Sequence, residues 1–136
     1  MADILLALAL AAGSQLAADA AVTGLWATGE DGGRVRIEAC PGDPAKICGA
    51  LVDAQVLVDV PDQRDVNNPD EALRDRPLRG VAVIEDFERG AQGAWTPGLL
   101  YDPEEGRRIE RGHIKLLDPG RLEVRGCVAV FCRTQV

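Results

Sequence analysis

Short runs of residues alternate apolar and polar with period two, and each run is closed by turn-forming residues. Arg34–Ala39 is charged at every second position, and Arg121–Cys127 sets Leu122 and Val124 against Glu123 and Arg125. Arg107–Leu117 carries charges around Ile109, Ile114 and Leu116. Alternation of this kind buries one face of a strand and wets the other, so the chain is committed to antiparallel sheet. The turns between the runs are rich in Gly, Pro and Asp: 28–33, Pro41-Gly42-Asp43-Pro44, 102–106 and Asp118-Pro119-Gly120. Further strands are expected at Val22–Trp26, Ile47–Val60, Gly80–Phe87, Gly93–Tyr101 (broken by Thr96-Pro97-Gly98) and Val128–Val136. Only Asp70–Arg76, after Asn68-Pro69, reads as helix, for one or two turns. The expectation is an all-β fold, a small eight-stranded antiparallel up-and-down barrel with one short helical turn. Closure removes exposed sheet edges, and eight strands leave an interior that side chains fill or that holds one small ligand. A two-sheet sandwich is the alternative.

At 136 residues, 46 % hydrophobic and 27 % charged, the chain has room for one core. Ile4–Ala12 is an apolar run too short to span a bilayer and suited to a secretory signal. Ala18-Asp19-Ala20 offers small residues for a cut after Ala20, although the leading Met-Ala-Asp lacks the usual cation. Residues 1–20 are therefore read as a signal peptide, against the alternative of a buried N-terminal helix. Residues 21–136 are read as one exported β-barrel domain without a transmembrane segment.

The four cysteines, Cys40, Cys48, Cys127 and Cys132, fit an oxidising compartment. Cys40 and Cys48 flank a hairpin turn and are expected to pair. In a continuous strand Cys127 and Cys132 would stand about 16 Å apart on opposite faces. They pair only if the segment bends or reverses after Gly126. Zinc is the competing use, but these spacings do not match the usual ligand pattern, and no metal is expected.

Charge and composition exclude several functions. A formal net charge of −7, with 13 Arg and 2 Lys scattered along the chain, argues against nucleic acid. The single His, His113, shares parity with Arg111 and Lys115 and is expected to face solvent. Ser14, inside the expected signal, is the only Ser, which leaves no serine nucleophile in the mature chain. Phosphate-loop and dinucleotide motifs are missing, and Glu85-Asp86 and Glu104-Glu105 read as solvated charges. Neither an enzyme nor a cofactor is expected.

Asp65, Asn68 and Arg76 form a dense polar set. One reading is a binding mouth in which Arg76 clamps an anionic group. The other is loop architecture, with Arg76 paired to Asp65 and the Asp and Asn side chains serving backbone groups. Tyr101-Asp102-Pro103-x-x-Gly106 reads as a turn of fixed shape, with Asp102 capping and Gly106 at positive φ.

These blocks together carry a resemblance: Asp65-x-x-Asn68-Pro69, Leu73-x-x-Arg76-Pro77-Leu78-x-Gly80, Trp95, Gly98-x-x-Tyr101-Asp102-Pro103-x-x-Gly106, and Val124-Arg125-Gly126-Cys127 with Cys132-Arg133-Thr134-Gln135. The chain resembles the bacterial family named domain of unknown function 2147 from Gly24 to its C-terminus. The resemblance implies an exported Gram-negative protein with a lipocalin-like or fatty-acid-binding-protein-like barrel. Relatives usually continue to a Trp-x-Arg ending, whereas this chain stops at Val136. Gly24-Leu25-Trp26 is also similar to the opening of lipocalins, which implies that Trp26 plugs one end of the barrel under Arg133.

Two functions follow. The first is a periplasmic module for a small apolar or amphipathic ligand, with Asp65, Asn68, Arg76, Trp95 and Tyr101 as candidate contacts. The second is an envelope structural or interaction protein with a packed barrel and a partner surface on the 61–79 loop. Interior volume separates them, and it turns on Val35, Ile37, Val81, Val83, Leu122 and Val124.

Overall fold

The computed structural model describes residues 21–28, 32–128 and 131–135, with side chains through 126. The expected signal peptide and its cleavage site lie outside the described residues. The strands are β1 (Gly24–Thr28), β2 (Gly33–Cys40), β3 (Asp43–Asp53), β4 (Ala82–Phe87), β5 (Ala94–Asp102), β6 (Arg107–Asp118), β7 (Arg121–Val128) and β8 (Phe131–Gln135). Each pairs antiparallel with its sequence neighbour in one sheet, which curls into a half-barrel. The all-β, up-and-down arrangement is the one the alternation implies. In β2, Val35 and Ile37 are buried while Arg34, Arg36 and Glu38 face water. The Thr96-Pro97-Gly98 break survives inside β5 as a register shift between Trp95 and Gly98, with a cis Thr96–Pro97 peptide.

The expected strand Ile47–Val60 is corrected: β3 ends at Asp53, and a short helix, α1 (Gln55–Asp59), follows. The partner decides this. Arg34, next to the first residue of β2, already faces Asp53, so a strand continued to Val60 would leave its backbone groups unpaired. Within α1 only Leu57 is buried, and the neighbouring valines are exposed. The second helical segment is shorter than expected, a 3-10 turn at Glu71–Leu73 whose start is capped by the Asp70 carboxylate on Ala72 N at 3.0 Å.

A meander places alternate connections at the same end. The 54–81 connection, called here the strap, shares one end with the 103–106 turn. The 41–42, 88–93 and 119–120 turns lie at the other. That second end is stapled by the Cys40–Cys48 disulfide, as expected. It is also tightly packed around Phe87, which is fully buried on the paired glycines Gly98 and Gly112. A Cβ at Gly98 would stand 2.2 Å from the ring and one at Gly112 2.6 Å, so both positions must be bare. At the last hairpin the register sets Cys127 opposite Cys132. Facing positions of this kind are within disulfide reach.

Candidate ligand-binding cavity

The strap is held by a polar knot. Asp65 is 1 % exposed and Asn68 2 %. The Asp65 carboxylate accepts from Arg76 Nε at 2.9 Å, from Asn68 Nδ2 at 2.9 Å and from the Tyr101 hydroxyl at 2.6 Å. Asn68 Oδ1 accepts from Asp70 N at 2.8 Å, and the Asn68 carbonyl accepts from Arg74 Nε at 2.8 Å. Backbone bonds close the same loop: Asp65 N donates to the Arg76 carbonyl at 3.0 Å, and Leu78 N to that of Gln63 at 2.9 Å. Arg64 donates to the Asp75 carbonyl, and the Arg76 guanidinium lies 5.7 Å from the centre of the Tyr101 ring.

The electrostatics follow from burial and these bonds. Burial alone would push the Asp65 carboxyl up, but hydrogen bonds from Asn68, Tyr101 and Arg76 outweigh it and hold Asp65 below the usual aspartate value. Tyr101 is pushed up to about 12 by burial and by its bond to the Asp65 carboxylate. The knot is a charged, satisfied unit at neutral pH.

The strap docks on the β5–β6 turn through Asn67, whose Nδ2 donates to the Glu104 carbonyl at 3.0 Å. Gly106 has φ +65°, and a Cβ there would meet the Asn67 carbonyl oxygen at 1.8 Å. The positive φ expected of Gly106 is thus present, and close approach is a second reason for glycine. Asp102 caps the turn, accepting from Glu104 N at 3.0 Å.

Beneath the strap lies a cavity of about 1440 Å³. Of the six interior residues singled out from sequence, five line it: Val35, Ile37, Val83, Leu122 and Val124. Val81 is buried without lining it. The strap contributes Gln55, Val56, Gln63, Arg64, Val66 and Asn67 to its rim.

The five candidate contacts divide. Asp65, Asn68 and Arg76 meet in the knot, spending their hydrogen bonds on the strap and on Tyr101. Tyr101 belongs to both places, lining the cavity while its hydroxyl binds Asp65. Trp95 stands apart, buried beneath the Arg89 guanidinium at 5.2 Å. Trp26 lines the cavity, and its Nε1 donates to the Val22 carbonyl at 2.9 Å. The side chain of Arg133, its expected partner, lies outside the described residues, as do those of Cys127 and Cys132. His113 keeps the outward parity of Arg111 and Lys115, between the buried Gly112 and Ile114, and is half-buried there with its Nδ1 against the Thr96 hydroxyl. Cys40, Cys48 and Asp86 bring their ligand atoms within 4.8 Å of one another, but the disulfide uses both sulfurs.

The rim residues Gln55, Val56, Gln63 and Asn67 were not singled out from sequence. The one local signal was the Gly106 position against which Asn67 packs. Among the described residues no helix is long and apolar enough to cross a membrane.

The profile of a bacterial family described as "Uncharacterized protein conserved in bacteria (DUF2147)" matches residues 24–136. No curated protein matches the chain in sequence. Among solved structures, a protein from the human pathogen Helicobacter pylori, described as belonging to the lipocalin family, superposes with a TM-score of 0.70. The match is 19 % identical and covers 84 % of this chain and 79 % of that one, a likeness of fold.

Proposed function

The chain belongs to the DUF2147 family, and from that premise we propose that it is a periplasmic binding module for a small apolar or amphipathic molecule. The observation that carries this reading is the cavity of about 1440 Å³ walled by valine, leucine and isoleucine. A lipocalin-like sheet supplies such an interior. The molecule enters at the strap end, where Val56 and Val66 are both exposed and part of the lining. Tyr101 and Trp26 touch it, and Asp65, Asn68 and Arg76 act behind Tyr101 by fixing the strap. In this proposal β1 closes against β8, residues 1–20 are removed after Ala20, and Cys127 pairs with Cys132. The Cys40–Cys48 disulfide supports export to an oxidising compartment.

Native mass spectrometry of oxidised protein purified from the periplasm tests it. The expected spectrum shows a chain beginning at Ala21, two disulfides and a released small molecule near one per chain. An empty protein whose melting temperature is unmoved by a panel of lipids and hydrophobic metabolites would overturn the binding reading.

A further inference from the structure

The cavity sorts its lining by polarity. Its buried wall includes Val35, Ile37, Leu51, Val83, Ile84 and Leu122. The only buried polar side chain among the described wall residues is Tyr101, and its hydroxyl donates its hydrogen bond to Asp65. The charged lining residues stand at the rims: Arg64, Glu104, Glu105 and Arg107 exposed at the strap end beside the half-buried Asp102, which caps the 103–106 turn, and Arg121 exposed at the other. Each rim cation already has a partner: Arg107 meets Glu105 at 3.2 Å, Arg121 meets Asp118 at 2.7 Å, and Arg64 donates to the Asp75 carbonyl.

The strap carries the apolar lining to the surface at Val56 and Val66, which are 40 % and 55 % exposed. The volume also exceeds the roughly 300–1,000 Å³ of sites for drug-sized ligands.

We infer that this cavity selects its ligand by hydrocarbon length and not by head group: a long-chain amphiphile lies with its chain inside and its polar head at the strap rim beside Val56 and Val66. The inference rests on the binding reading above and adds the ligand class and its direction. The described wall presents hydrocarbon to the chain, so each further methylene is transferred from water to an apolar surface. A charge held along the buried wall between the two rims, beside Val35, Ile37, Val83 and Leu122, would be buried without a partner, which is strongly unfavourable.

The two tryptophans make the test direct, because Trp26 lines the cavity and Trp95 does not. A Trp95→Phe variant, stripped of lipid, reports through Trp26 alone. Isothermal calorimetry on the unaltered protein gives the same constants if that variant does not fold. The probes are monoacylglycerols, fatty acids and lysophosphatidylcholines of eight to sixteen carbons, with α,ω-dicarboxylic acids of matching length. Affinity is expected to rise about fourfold per methylene until the chain fills the cavity. Exchanging the head at constant length should change it by less than about tenfold, since the rim is exposed and screened. The diacids should bind about a hundredfold more weakly than the monoacids. Affinity independent of chain length, diacids equal to monoacids, or a carboxylate preferred by more than about a hundredfold would overturn the inference and leave the binding reading standing. The last result would direct attention to Arg133, which the register sets opposite the cavity-lining Gly126. If no probe of any length binds, the inference falls together with the binding reading.

Discussion

The two sides of Tyr101 are built on opposite rules. Toward the strap, its hydroxyl joins Arg76 and Asn68 in saturating one buried carboxylate. Toward the curled sheet, its ring belongs to a wall that asks for no hydrogen bond. The knot draws its order from a few directional contacts and tolerates no unpaired member. The cavity draws its shape from medium-sized side chains that stop short of filling it. A polar cluster beside an open cavity invites a functional reading, yet here the polar groups are occupied with one another, and the open space lies where the sequence is blandest.

The largest expected effect comes from breaking the knot. Asp65→Ala leaves the Tyr101 hydroxyl, the Asn68 amide and the Arg76 guanidinium without their shared acceptor. Loss of one partner of a buried pair costs about 3–5 kcal/mol. The Arg76 side chain keeps a third of its surface in water, so about 3 kcal/mol is expected, read as a lower urea midpoint. A loss below about 0.5 kcal/mol would mean that the knot does not hold the strap.

Tyr101→Phe separates the two sides of the residue. It removes the bond to Asp65 and keeps the ring on the cavity wall, so stability should fall by about 2 kcal/mol while affinity for an apolar ligand stays unchanged. The reverse pattern, full stability with lost affinity, would move Tyr101 from the knot to the ligand.

The pH profile measures the same pair without mutation. Asp65 has a lower pKa folded than its ordinary 3.8. Its contribution is therefore complete above that value and lost as the pH falls through the folded value. Tyr101 is raised from 10.0 to about 12, so its contribution is complete below pH 10 and lost as the pH climbs toward 12. Tyr101→Phe should abolish the alkaline loss and reduce the acid one.

These elements were unequally legible in the sequence. Arg76 and Asp65 lie close enough along the chain for their pairing to be read from loop chemistry. The Tyr101 hydroxyl closes on Asp65 from 36 residues away, and nothing local announces it. The alternation in β2 fixed its faces outright, whereas the apolar run from Ile47 was misread beyond Asp53. Its fate depended on where the neighbouring strand begins, which no propensity of its own residues encodes. The cavity was the least legible of all, since Val35, Val83 and Val124 are compatible with a filled interior or an open one. Only the curvature of the sheet decides between them.

The smallest change in stability should come from filling the cavity, and it tests the other half of the contrast. Val124 lines the space and is only half-buried. Val124→Phe adds a ring where there is room for one, so little overpacking strain is expected and stability should move by less than about 1 kcal/mol. The ring occupies volume that the ligand needs, so binding of a sixteen-carbon monoacylglycerol should weaken at least tenfold while a shorter chain is spared. The pair of measurements discriminates because a packed barrel predicts the opposite result. Without a cavity, phenylalanine at 124 would overpack the core and cost about 1–3 kcal/mol, with no ligand affinity to lose. A stability loss of that size would close the interior and return the protein to the reading in which its outer surface does the work.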